Sequence, residues 1–202
     1  MSREKRGAPE RTRLNKSVLP TILIVTEGMK TEPNYFRSFP ISSLEVECII
    51  KGAGRITESV VEYAKKLNED NDINADIVWC VFDSDDFVSF DQAISKAKKY
   101  GFKVAYSVES FELWYVLHFQ YLTAQIKRNS YVDILKEKLK DGYAKNSERM
   151  YELLLDKQSI AIKNAKKLEQ YHDEYETIAK SKRRPSTTVF KLVEELNQYI
   201  KE

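Results

Sequence analysis

Short β-branched runs and segments of helical period take turns along the first half of this chain, and beyond Ser110 only the helical period persists. Residues 21–25 form an apolar run that stops at Thr26-Glu27-Gly28, as a buried strand entering a turn does. Thr31-Glu32-Pro33 reads as a helix start, with Thr31 as N-cap and Pro33 in the first turn, and that helix should end near Phe39-Pro40. Residues 44–50 alternate apolar and acidic positions like a half-buried strand, and Lys51-Gly52-Ala53-Gly54 breaks the pattern. Val60, Val61, Ala64 and Leu67 recur at helical spacing over 57–68. Residues 75–82 are the most hydrophobic strand and run into Asp83-Ser84-Asp85-Asp86. A helical period over 89–100 ends at Gly101, in the place of a C′ glycine, and 103–107 reads as a fourth strand. Helical segments follow near 111–121, 131–140, 147–155, 160–178 and 187–200, the last opened by the N-cap-rich Pro185-Ser186-Thr187-Thr188. The order predicts an α/β fold: a mostly parallel sheet of about four strands, flanked by helices on right-handed crossovers, with a C-terminal helical extension. Residues 1–17 lack periodicity and read as a flexible arm, 18–122 as the α/β core, and 123–202 as helices packed on it.

Composition narrows the class. The 202 residues are 42% hydrophobic and 32% charged, as in a globular protein. The longest apolar runs, 22–25 and 77–82, fall far short of the ~20 residues of a membrane span, and the polar, basic first residues do not resemble a secretory signal. Cys48 and Cys80 sit inside strand-like runs without CxxC spacing, so they read as reduced core residues in a cytoplasmic protein. The formal charge of +2 announces no global basic field. Basic residues cluster instead in the first seventeen positions and in Lys180-Ser181-Lys182-Arg183-Arg184, where they either face water or neutralise a phosphate backbone.

The acidic residues carry the candidate chemistry. Ligands of open α/β sheets bind beyond the carboxyl ends of the strands. Glu27 falls at such an end, as do Asp83, Asp85 and Asp86. If the first and third strands are neighbours, these carboxylates converge, and like charges that close need a cation. Hard oxygen donors suit Mg²⁺ or Mn²⁺. Asp-rich turns also follow strands simply because Asp forms Asx-turns and caps helices. The Lys51-Gly52-Ala53-Gly54-Arg55 stretch reads as a structural turn whose amides, with Lys51 and Arg55, could also cradle phosphate; it lacks P-loop or Rossmann spacing. Glu112 lies among Phe111, Leu113 and Trp114, so if buried it needs a cation or a basic partner. His118, six residues on, is off its helix face and reads as a hydrogen-bonded core-edge histidine.

Val25-Thr26-Glu27-Gly28-Met29-Lys30-Thr31-Glu32-Pro33-Asn34-Tyr35-Phe36 resembles the opening motif of the RloB-like family, roughly V-x-E-G-x-K-T-E-x-x-Y-F. Val81-Phe82-Asp83-Ser84-Asp85-Asp86-Phe87, Phe111-Glu112-Leu113-Trp114-Tyr115-Val116-Leu117-His118-Phe119 and Pro185-Ser186-Thr187-Thr188-Val189 resemble its later blocks, in order. Two positions depart from the family pattern: Val108-Glu109-Ser110 stands where Asn-Pro often precedes the Phe-Glu pair, and Arg184 replaces an Asn before Pro185. The resemblance implies a Toprim-like fold and a metal-dependent nuclease of bacterial phage defence, of the abortive-infection type, often beside an ATPase partner. On that reading Asp83 and Asp85 ligate Mg²⁺ or Mn²⁺, with Asp86 assisting. Glu27 is a third ligand or the general base, and Lys30 meets a phosphate oxygen. Glu32 reads as a first-turn helix charge. Lys30, Lys51, Arg55, Lys182, Arg183 and Arg184 are the candidate contacts to DNA or RNA. A catalytic domain this small is expected to dimerise or to join a partner. The competing reading is a non-catalytic module that docks the ATPase through the aromatic helix over 111–121. A Rossmann nucleotide site is disfavoured because no G-x-G-x-x-G follows the first strand.

Overall fold

The computed structural model describes residues 19–54, 57–70, 73–84, 87–140, 142–175 and 179–201. The basic arm over 1–17 and the residues Arg55, Asp85 and Asp86 lie outside them. In chain order the elements are β1 (Thr21–Thr26), α1 (Thr31–Arg37), β2 (Glu47–Gly52), α2 (Thr57–Asp70), β3 (Ile77–Ser84), α3 (Phe87–Lys99) and β4 (Lys103–Val108). The helical half holds α4 (Glu112–Val116), α5 (Arg128–Leu139), α6 (Met150–Leu154), α7 (Gln158–Glu174), the two-residue β5 (Ser186–Thr187) and α8 (Val189–Leu196).

The strands form one sheet in the order β2-β1-β3-β4-β5. The first four pair in parallel, and β5 closes the edge antiparallel to β4. The sheet thus has five strands where the pattern predicts about four; β5 is too short to show a period, and its residues read in the sequence as part of a helix start. Its hydroxyls explain the difference. Thr187 Oγ1 bonds Tyr106 O and Ser107 Oγ and also accepts the first α8 amide, Val189 N–H, at 3.3 Å, whereas Thr188 Oγ1 accepts Tyr106 N–H at 3.0 Å, so the segment is tied to β4 as well as leading into α8.

Apolar residues bury both faces of β1, as a parallel sheet covered on two sides requires. Ile22 and Ile24, with Trp79 and Val81 of β3, face α1 and the C-terminal helices through Tyr35, Phe36, Trp114, Leu192 and Val193. Leu23 and Val25, with Val78, Cys80 and Phe82, face α2 and α3 through Val60, Val61, Phe90 and Ala93. Right-handed crossovers account for this split: the chain leaves β1 in one direction to reach β2, then crosses back to β3 and β4, so α1 lies opposite α2 and α3. Gly101 ends α3 at φ 75°, with Phe102 N–H reaching back to Ala97 O at 2.9 Å, as expected of a C′ glycine.

Several elements are shorter than their patterns, α4 and β2 among them. α4 spans five residues rather than 111–121, because the chain turns tightly after Val116. β2 starts at Glu47 rather than 44, and Leu44 is exposed in a turn. Cys80 is buried and Cys48 half-buried, both free; burial pushes the thiols up to about 12 and about 11. No helix among the described residues is long and apolar enough to cross a membrane.

Candidate functional site

β1 and β3 are neighbours, and the strand order reverses between them, because β2 lies to one side of β1 and β3 and β4 to the other. Such a switch point leaves a crevice at the carboxyl ends of the strands. Glu27 follows β1 directly, and its N–H donates to Val81 O at 2.8 Å across the pair. Asp83 N–H donates to Glu27 Oε2 at 3.1 Å, and the Thr57 hydroxyl, at the head of α2, lies 3.3 Å from both Glu27 Oε2 and Asp83 O. From the far side, Phe111 N–H donates to Asp83 Oδ2 at 3.0 Å.

These groups open into a cleft of about 330 Å³ whose lining includes Glu27, Lys30, Glu32, Asp83, Glu112, Arg128 and Lys145. Four carboxylates from four different segments therefore share one cavity. The sequence presents Glu32 only as a first-turn charge of α1. It is in that turn, but 7% exposed and directed into the cleft. Gly28 makes the placement possible: a Cβ there would stand 2.1 Å from Glu32 Oε2. Glu112, also 7% exposed, accepts the Tyr143 hydroxyl at 3.3 Å.

The electrostatics reflect this crowding. Burial, then the charges of Glu32, Glu112 and Glu27, hold the Asp83 carboxyl well above the usual carboxylate range. Burial also raises Glu32, with Glu112 adding to it, while the Gly28 amide and Lys145 act in the opposite direction. The donor set is all oxygen and rich in charge, which is the chemistry of a hard divalent cation. Among the described residues no three His, Cys, Asp or Glu side chains are gathered closely enough to hold an ion as they stand. Asp85 and Asp86, ligands on the sequence reading, lie outside the described residues.

The other sequence candidates fall in different places. Lys30 is exposed at the mouth of the cleft. Lys51 is exposed on the edge strand β2 and does not line it. The amides of the following turn are turned inward: Ala53 N–H donates to Thr26 O at 2.7 Å and Gly54 N–H to Glu27 O at 3.0 Å. The turn thus braces the Glu27 loop instead of cradling phosphate through those two amides. Lys182 is exposed, whereas Arg183 is buried and paired with Asp173 at 2.6 Å, and Arg184 pairs with Glu109. The two arginines therefore serve ion pairs within the fold. His118 is buried, its Nδ1 donating to Trp114 O at 2.9 Å, and burial brings it down to about 4. Arg128 and Lys145 carry no signal in the sequence, because they come from polar stretches of the helical half that only folding brings to the sheet.

Gly52 is a further element of the site although it bears no chemistry. A Cβ there would meet Gly28 O and Met29 Cα, both at 2.9 Å. Both are backbone atoms, so they cannot give way as a side-chain tip can. Gly52→Ala is expected to cost about 1–3 kcal/mol and to displace the Glu27–Lys30 loop. Urea melts and amide hydrogen exchange at Gly54, whose N–H bonds Glu27 O, check both effects.

The family model described as RloB-like protein matches residues 22–196, most of the chain. No curated protein and no solved structure matches it.

Proposed function

The chain belongs to the RloB-like protein family, and from that premise we propose that it is a divalent-metal-dependent nuclease that hydrolyses phosphodiester bonds in DNA or RNA, as an effector of bacterial defence against phage. The observation that carries this reading is the gathering of Glu27, Glu32, Asp83 and Glu112 in one cleft, with Lys30, Arg128 and Lys145 in the same lining. A fold gains nothing by burying like charges together, and Asp83 and Glu32 are held above their ordinary range by doing so.

Glu27, Asp83 and Asp85 are the residues to hold Mg²⁺ or Mn²⁺, with Asp86 assisting. The ion would supply charge neutralisation at the phosphate and a water of lowered pKa. The side chains do the rest. Glu27 Oε2 is oriented by the Asp83 amide and the Thr57 hydroxyl, which fixes the carboxylate either as a ligand or to take a proton from water. Lys30, at the mouth, meets a phosphate oxygen, and Lys145 and Arg128 offset the repulsion that four carboxylates exert on a polyanion. A partner ATPase and a second copy of the chain belong to the same proposal. The alternative of a non-catalytic docking module rests on the aromatic segment after Ser110, and Trp114 and Tyr115 are buried in the monomer.

The test is cleavage of labelled single- and double-stranded DNA and RNA, tRNA included, with Mg²⁺ or Mn²⁺. Cleavage should vanish with EDTA and in Glu27→Ala and Asp85→Ala, both of which should melt as cooperatively as the wild type. Undiminished cleavage in both variants would overturn the assignment.

A further inference from the structure

Glu109, the residue after β4, has φ 84°, a left-handed setting uncommon for a residue with a Cβ. Two arginines from distant parts of the helical half bond to it. Arg128, the first residue of α5, donates to the Glu109 carbonyl through Nη2 at 2.6 Å and Nε at 3.3 Å. Arg184, two residues before β5, pairs through Nη1 with Glu109 Oε1. The two side chains of that pair are only 18% and 22% exposed, so the pair is largely withdrawn from solvent screening. The fully buried Tyr131 of α5 lies close enough to feel both charges.

Two of the three residues after Glu109 line the cleft. Ser110 is buried, Phe111 delivers its N–H to Asp83 Oδ2, and Glu112 enters the cleft. Their direction is set by the backbone at Glu109. Relaxation of that residue to negative φ would rotate the Phe111 amide and the Glu112 carboxylate together.

We propose that Arg184, Glu109 and Arg128 form a clamp that positions Asp83 and Glu112, making Glu109 and Arg184 positioning residues of the candidate metal site although neither lines it. The consequence for metal affinity rests on the reading given under the proposed function; the clamp's hold on Phe111 does not. A C-terminal segment whose basic residues suggest phosphate contacts from sequence is thereby assigned a different task. Arg184 faces a carboxylate of its own chain and acts on the site from behind.

The test compares Glu109→Gln, Arg184→Gln and the double variant by amide hydrogen exchange at Phe111, by Mn²⁺ titration calorimetry and by melting. Each single substitution should speed exchange at Phe111 relative to the amides of β4 and should weaken Mn²⁺ binding about 10- to 100-fold, as loss of a group that orients a ligand does. The double variant should be no worse than the poorer single, since the two residues act as one unit. Glu109→Gly accepts φ 84° without strain although it lacks the carboxylate, so it should disturb Phe111 exchange and Mn²⁺ affinity less than Glu109→Gln does. A lowered melting temperature with Phe111 exchange and Mn²⁺ affinity unchanged would mark the pair as merely structural and overturn the clamp. Additive effects in the double variant would do the same. If the wild type binds no Mn²⁺ while Phe111 exchange still rises in the variants, the metal reading fails and the clamp stands.

Discussion

Asp83→Asn should lose cleavage by a factor on the order of 10³ and yet, free of metal, melt at a higher temperature than the wild type. The loss comes from removing the central charge of the cleft. The gain comes from the same charge. Burial and the neighbouring Glu32, Glu112 and Glu27 raise the Asp83 pKa in the folded state above its ordinary value of 3.8. Below that value both folded and unfolded chains carry the proton, and the neutral carboxyl does not oppose folding. As pH rises the unfolded chain ionises first, while the folded chain must keep its proton or accept a charge beside three others. The stability present in acid is therefore lost as pH rises through the folded pKa. Asparagine does not titrate, and its Oδ1 can still accept the Phe111 amide that Asp83 Oδ2 accepts at 3.0 Å. Melts in EDTA at about pH 5 and about pH 8 should show the advantage of the variant widening with pH. Saturating Mn²⁺ should reverse the order, because a ligand that binds the native state stabilises only the protein that retains its site. An Asn variant less stable than the wild type at both pH values would mean that Asp83 is held by structure and not strained by its neighbours.

The parallel core is legible in the sequence because its strands and crossover helices carry their own periods: residues 21–25 and 103–107 lie within the strands observed, and 75–82 overlaps β3 but is set two residues early. The convergence of Glu27 with Asp83 is legible only conditionally, since the pattern places residues at strand ends but not strands beside one another; the pairing of β1 with β3 supplies the missing step. β5 escapes notice because two residues have no period, and Glu32 because a glutamate in a first helical turn already has a sufficient local explanation. The two departures from the family pattern, at Glu109 and Arg184, look unrelated at a separation of 75 residues. In the fold they are the two halves of one ion pair, which no period or motif spacing could reveal.

Trp114→Ala is expected to cost about 3–5 kcal/mol, a large share of the roughly 5–15 kcal/mol that holds a domain together. The aromatic helix after Ser110 reads in the sequence as a docking face, and on that reading removal of the indole would leave the fold intact and abolish only a partner contact. In the structure Trp114 is completely buried, its ring edge-on to His118 at 4.9 Å, and all five residues of α4 are buried with it. The apolar neighbours Leu113, Trp114 and Val116 anchor α4 in the core against the helical half, and that anchorage leaves Glu112 directed at the cleft. The substitution should therefore lower the urea midpoint sharply and weaken Mn²⁺ binding together, while Trp114→Phe, which removes far less volume, should lose only part of both. An unchanged midpoint in Trp114→Ala would return the indole to the surface and restore the docking reading. The expected collapse would instead mean that α4 commits its aromatic residues to the core so that one carboxylate among them can face the cleft.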